Sequence, residues 1–434
     1  MLKFYYINEL LIRKEHFWIL ILSLDGRRFV IDIKYFKLLK RLNWNDESGL
    51  MGLFPEFDKD GIIELTDSLI DKWILIKSDV KLETNVKFIE NQLISEDSLS
   101  FPRTVYWETS WICNFKCLHC YSQLHNNSCR WLDLDSIKKL IDEMAWCWVE
   151  FFNVWGWEPL LYEHIFDVIK YCKQVWLTIE MTSNWSLLHD ENISRLKESG
   201  LKFIQISIDW SNEETFEKIR IWWNFNQVTE SVRKLVKAWF TVSINTVLTK
   251  LNHLEILDII KLSQELGASF YKVSPLMETW RWKTNKNSLK LTKSELRGVY
   301  SKILKHQINY KKGDMKVIFN INLIKPTIKN IFWMKKWHYW CPAWRTTCGI
   351  DSYGNVYPCS YMHDDALSCG NIKKNTLKQI WTASHVLKEL RSVTDLEWKC
   401  KDCRYLDICS GWCRASAFLK HWNLNQSDPL CVVK

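Results

Sequence analysis

From Phe101 to about Lys312, short apolar runs alternate with longer stretches in which apolar residues recur every three or four positions. The runs Thr104–Glu108, Val149–Val154, Leu177–Thr182, Phe203–Ile208, Val242–Leu248 and Ser269–Val273 have the length and composition of buried strands. Between the first two, Ile137, Leu140, Ile141 and Met144 share one helical face. Six strand–helix units with parallel crossovers predict an α/β fold, a partial (β/α)6 barrel of the TIM type, with chemistry at the C-terminal ends of its strands. Leu291–Lys312 reads as a helical stretch closing this region, and 313–340 as a connector.

Residues 1–80 read as a small separate α+β module. Phe17–Leu24 and Phe29–Ile31 flank Asp25-Gly26, a hairpin signal. Asp32 is placed to cap a helix over Tyr35, Phe36, Leu38, Leu39 and Leu42. A second helix near Leu65–Lys72 and a strand at Ile74–Ile76 complete a winged-helix-like outline. Residues 81–100 are polar and read as a linker. From 341 to 434 the chain is cysteine-dense and turn-rich, the pattern of a domain whose fold depends on metal.

The apolar fraction of 47% and charged fraction of 25% are ordinary for a globular protein. The longest early apolar run, Phe17–Leu24, is too short to span a bilayer, and the N-terminus lacks the order of a signal peptide. The expectation is a cytoplasmic protein with no membrane association. The net charge of +9 is spread along the chain and serves solubility, or attraction of an acidic partner such as a peptide leader. No basic stripe with interleaved aromatics argues for nucleic acid.

The chain carries 26 Trp and only 13 Gly, whereas average glycine usage is about 7%. The excess Trp falls where backbone geometry asks for glycine. Trp73 follows the helix Leu65–Lys72, at the usual C′ glycine position. Trp176 and Trp239 also sit between a helix and the next strand, and Trp185 and Trp210 close loops. Strain of about 1–3 kcal/mol per site, over roughly twenty sites, would exceed a net stability of about 5–15 kcal/mol. The pattern is that of a gene whose host reads UGA as glycine. Trp381 and Trp398 fit as ordinary tryptophans.

Fifteen cysteines in an unexported chain read as metal ligands rather than disulfides. Three are closely spaced, Cys113-x3-Cys117-x2-Cys120. Three thiolates hold three irons of a four-iron cluster and leave the fourth open; the eight downstream suffice to close two more clusters. Zinc fits less well. The triad brings no fourth ligand, and the C-terminal set has one Cys-x2-Cys pair where a zinc ribbon needs two.

The triad, with Tyr121 after it, resembles the signature of the radical S-adenosylmethionine (SAM) enzymes. The resemblance implies that Cys113, Cys117 and Cys120 hold a catalytic 4Fe–4S cluster whose open iron is chelated by SAM. Val154-Trp155-Gly156-Trp157-Glu158-Pro159 resembles the family's Gly-Gly-Glu-Pro segment, which lies along the SAM amino group. Trp157 stands at one of its glycines, and would block close backbone approach. Thr182-Ser183-Asn184-Trp185 resembles the Thr-Asn-Gly segment near the ribose, while Ser207 and Arg220 match positions that hold the SAM carboxylate. Tyr121, Gly156, Trp157, Glu158, Ser183, Asn184, Ser207 and Arg220 are thereby the expected cofactor-binding residues.

Downstream, Cys341-x12-Gly354-x4-Cys359, then Cys400-x2-Cys403-x5-Cys409-x3-Cys413, then Cys431, resembles the SPASM domain, which carries two auxiliary 4Fe–4S clusters. By position, Cys341, Cys348, Cys359 and Cys413 would hold the first, and Cys400, Cys403, Cys409 and Cys431 the second. Cys129, Cys147, Cys172 and Cys369 fit neither pattern. Residues 1–80 resemble the winged-helix module that binds peptide leaders by strand addition in some peptide-maturing members.

The expected protein is a radical SAM/SPASM enzyme that modifies a ribosomally made peptide or small protein, fed by an electron donor such as flavodoxin or ferredoxin. A sulfatase-maturing type is disfavoured by Ser360, which stands where that group carries Asp. A tetrapyrrole-modifying enzyme, and a non-catalytic peptide-binding or electron-transfer scaffold with real Trp at the glycine positions, are the other readings.

Overall fold

The computed structural model describes residues 98–110, 113–115, 117–120, 131–156, 158–213, 224–277, 289–308, 315–319, 341–392, 396–403, 406–409 and 411–431, together with short segments between 4 and 90. The chain divides into two compact units, Met1–Ser100 and Phe101–Lys434.

In the first unit, β1 (Phe4–Ile7) pairs antiparallel with β5 (Leu75–Ser78). A second sheet has the order β4-β3-β2-β6, formed by β2 (Leu10–Lys14), β3 (Trp18–Ser23), β4 (Arg28–Asp32) and β6 (Val86–Glu90). The hairpin expected around Asp25-Gly26 is the β3–β4 pair, Trp18 opposite Asp32 and Leu22 opposite Arg28. The expected linker is corrected in part: Val86–Glu90 is a strand, parallel to β2, with Leu10 opposite Val86. The helix expected after Asp32 lies outside the described residues.

In the second unit, all six expected strands are present and parallel: β7 (Thr104–Glu108), β8 (Phe151–Trp155), β9 (Thr178–Ser183), β10 (Phe203–Ser207), β11 (Thr241–Leu248) and β12 (Phe270–Pro275). A seventh parallel strand, β13 (Lys316–Phe319), pairs with β12 inside the stretch expected to be a connector. At the opposite edge, β14 (Thr347–Ile350) lies parallel to β7, Thr347 opposite Thr104, and β15 (Asn355–Tyr357) and β16 (Gly370–Asn371) continue the sheet antiparallel. The cysteine-rich region is therefore joined to the barrel sheet through backbone hydrogen bonds beside the first barrel strand.

Helices α1 (Leu134–Trp146), α2 (Ile165–Gln174), α3 (Asp190–Ser199), α4 (Phe225–Lys237) and α5 (Ile256–Glu265) connect the strands. The face Ile137, Leu140, Ile141 and Met144 of α1 is buried as its periodicity predicts. Side-chain caps set several helix starts, Asp133 accepting from Ser136 N and Asn224 from Gln227 N. Val105, Phe152, Val154, Ile204, Ile206 and Ile244 form the solvent-free centre between sheet and helices.

Candidate active site

The C-terminal ends of β7, β8 and β9 lie side by side, so the loops after them share one rim. The Cys113–Cys120 loop follows β7. At its start, Thr109 N donates to Trp155 O at the end of β8 (2.9 Å). Gly156 then turns at φ 123°, and a Cβ there would lie 3.1 Å from Thr109 N and 3.2 Å from Glu108 Cγ. Only glycine lets the two loops approach this closely.

Glu158 caps the short turn Pro159–Leu161 and is fully buried. Its carboxylate accepts from Asn184 N (2.7 Å), Ser183 Oγ (3.1 Å) and Leu160 N (3.2 Å). Burial pushes its carboxyl up to about 7, against the pull of the Asn184 and Leu160 amides and the Ser183 hydroxyl. Asn184 Nδ2 donates to Asn114 Oδ1 (2.8 Å) and reaches Cys113 Sγ (3.5 Å), which also accepts from Phe115 N (3.3 Å). Glu158, Ser183, Asn184 and Cys113, named from three separate stretches of sequence, thus form one connected network. Ser207 ends β10 opposite Asn245 of β11. Tyr121, Trp157 and Arg220 lie outside the described residues.

Two further pairs are new. His119 Nε2 lies 3.2 Å from Asp209 Oδ2, both side chains buried, and Asp209 Oδ1 accepts from Val247 N (2.7 Å). Asp209 thereby fixes the histidine between Cys117 and Cys120 to the ends of β10 and β11. At the end of β7, buried Glu108 holds His363 Nδ1 at 2.9 Å, and the imidazole stacks on Tyr357. No local spacing marks either pair, because the partners are far apart in sequence. The buried Asp209 just past a strand end was the available signal for the first.

Among the described residues, no three metal-ligating side chains close around a single ion. The C-terminal thiols nevertheless fall into sets. Cys409 feels the charges of Cys431, Cys400 and Cys403, and burial pushes it up to about 12. Cys413 feels Cys341 and Cys359, and burial raises it well above its ordinary value. Each of these last three sulfurs accepts backbone amides: Cys359 from Tyr361 (3.2 Å), Cys413 from Ser416 (3.4 Å), and Cys341 from Arg414 and Ala343. Such amides stabilise cluster thiolates. Cys348 is buried in β14, with Cys369 as its neighbouring thiol. Cys172 is buried in α2, and Cys129 lies outside the described residues.

Residues 107–263 match the Radical SAM superfamily, and residues 341–404 match the SPASM iron–sulfur cluster-binding domain. The chain belongs to the radical SAM enzymes with a SPASM domain. Radical SAM enzymes use 4Fe–4S clusters and SAM, and the thiol sets and the Glu158 network fit them. An AdoMet-dependent heme synthase of Methanosarcina barkeri is 27% identical, covering 77% of this chain and 97% of that one. The mycofactocin maturase MftC of Mycolicibacterium smegmatis is 26% identical over 78% and 84%. Streptococcus suis SuiB bound to S-adenosylmethionine shares the fold, with a TM-score of 0.70 at 17% identity over 99% of this chain and all of that one. No helix among the described residues is long and apolar enough to cross a membrane.

Proposed function

We propose that this radical SAM enzyme modifies a ribosomally synthesised peptide, with Cys113, Cys117 and Cys120 holding the SAM-binding cluster. The observation that carries the proposal is the network running from Cys113 through Asn184 and Ser183 to buried Glu158. It presents a carboxyl group and an amide beside Cys113, complementary to the amino and hydroxyl groups of SAM. Bound there, the cluster supplies reductive cleavage of SAM to a 5′-deoxyadenosyl radical, which abstracts hydrogen from the substrate.

The chain's own contribution is positional. Glu158 orients the SAM amino group, Asn184 bridges the cluster loop to the ribose side, and Ser207 and Arg220 receive the carboxylate. His119, locked to Asp209, keeps the cysteine loop in register. The C-terminal thiols hold auxiliary clusters, which take up or relay the substrate electron. A cytoplasmic setting and a flavodoxin- or ferredoxin-type donor complete the reading.

Peptide as substrate class is supported by the maturases among the relatives and by the first unit. The structural likeness to SuiB bound to its precursor peptide SuiA spans 99% of the chain, that unit included. The likeness to the heme synthase spans 77%. A tetrapyrrole substrate is the second reading, favoured by that relative's 27% identity. Anaerobic reduction of the reconstituted enzyme with SAM, with precursor peptide encoded beside its gene or with a haem precursor, separates them. Peptide mass change with 5′-deoxyadenosine supports the first; modification of the tetrapyrrole alone overturns it.

A further inference from the structure

We infer that the residues standing as Trp at 148, 176, 185, 239, 344, 412 and 422 in the translated gene are glycine in the protein that its host makes. Among the described residues, positive φ occurs only at glycines and at these seven positions, where it lies between 54° and 74°. Left-handed backbone brings Cβ against the following carbonyl oxygen, so a bulky side chain is an outlier there. The non-glycine residues that do adopt it are mainly Asn, Asp and His. None of those types is in the set.

The five barrel helices supply an internal comparison. Gly200 after α3 (φ 99°) and Gly267 after α5 (φ 79°) donate their amides to Lys197 O and Gln264 O. The residues after them, Leu201 and Ala268, donate to Leu196 O and Ser263 O. Trp148, Trp176 and Trp239 stand at the matching positions after α1, α2 and α4. Their amides donate to Ala145 O, Lys173 O and Val236 O. The amides of the next residues, Val149, Leu177 and Phe240, donate to Met144 O, Cys172 O and Leu235 O. All five ends are Schellman motifs, in which the left-handed residue is usually glycine and an apolar residue follows it into the core. Val149, Leu177, Leu201, Phe240 and Ala268 are all buried. Two glycines and three tryptophans thus fill one backbone role in five repeated units. Trp239 is 89% exposed and Trp176 64%, so packing does not offset the left-handed strain.

Two of the other positions carry the same signature. Trp422 closes the helix Arg414–His421 with its amide donating to Phe418 O (2.7 Å), and is 56% exposed. Trp185, at φ 74°, donates its amide to Ser183 Oγ (3.0 Å), while its ring packs 5.9 Å from that of Phe115 in the cysteine loop. Glycine at 185 keeps the amide bond and removes the ring from beside that loop.

Trp107 and Trp381 differ in kind. Trp107 lies in β7 without exposure, stacked on Phe152 with ring centroids 5.8 Å apart. Trp381 lies fully buried in the helix Leu377–Ala383, with the Arg391 guanidinium 4.7 Å from its ring. Glycine at either would leave an indole-sized cavity in the core.

Peptide mass mapping of the full-length protein isolated from its own host decides the matter. Glycine is expected at all seven positions and tryptophan at 107 and 381. Tryptophan at any of the seven, or glycine at 107 or 381, overturns the inference. Expression of the unaltered gene in a bacterium that reads UGA as a stop gives a second measurement. No chain extending past Cys147 is expected, and full-length protein there overturns the inference as well.

Discussion

Replacing Glu158 with Gln removes the one carboxylate that the site buries beside Asn184. Burial pushes the wild-type carboxyl up from an ordinary 4.5 to about 7. A SAM amino group donating to it favours the ionised form, so SAM binding and loss of this proton are linked. Apparent affinity should rise with pH to about 7 and then level off; at pH 6 it should be about tenfold below the plateau, since each pH unit is worth about 1.4 kcal/mol. In the Gln variant this dependence disappears, and loss of a charge-assisted contact of about 1.5–3 kcal/mol weakens binding roughly 10- to 100-fold. Stability moves with the opposite sign. Because the folded-state value is raised, the contribution of Glu158 is complete below about 4.5 and lost as pH rises through about 7, a total of about 3 kcal/mol. The Gln variant should therefore show a flatter urea midpoint across that window. Anaerobic equilibrium dialysis of the holoenzyme with SAM from pH 6 to 9, with parallel urea unfolding, measures both. A Glu158→Gln enzyme that binds SAM as tightly, with an unchanged pH profile, would refute the assignment.

Trp239→Gly should raise the unfolding free energy read from urea titration by about 1 kcal/mol, the left-handed strain of about 1–2 kcal/mol less the added chain entropy of glycine; a lower value counts against the helix-cap argument. Asp209→Asn, which leaves His119 without its carboxylate, should cost about 1–3 kcal/mol and lower iron retention at the Cys113 cluster, read as iron per chain after gel filtration. Burial holds Cys409 at about 12 in the iron-free protein, so cluster assembly must release protons. A pH-stat should record that release, and reconstitution should quicken from pH 7 to 9. Equal assembly rates across the range would show that these thiols are not the ligands.

The barrel strands were legible because each is a compact apolar run bounded by helical periodicity. β13 was missed because Lys316–Phe319 is only four residues long and surrounded by polar sequence. β6 was missed because Val86–Glu90 mixes Lys and Glu into a stretch with turn-like composition. The cysteine triad was legible because a cluster loop is local and its spacing is written in consecutive residues. The His119–Asp209 and Glu108–His363 pairs were not, since each joins residues that only the parallel sheet brings together. The tryptophans were the reverse case: composition pointed to them first, and the φ angles then marked individual positions.

The most direct test of the central claim is formation of 5′-deoxyadenosine by the anaerobically reconstituted, reduced enzyme supplied with SAM, carrying glycine at the seven left-handed positions and at 157. The account predicts 5′-deoxyadenosine and methionine in equal amounts, abolished in C113A. An enzyme that holds its clusters and binds SAM yet yields no 5′-deoxyadenosine, with candidate peptides present, would contradict it and leave the scaffold reading standing.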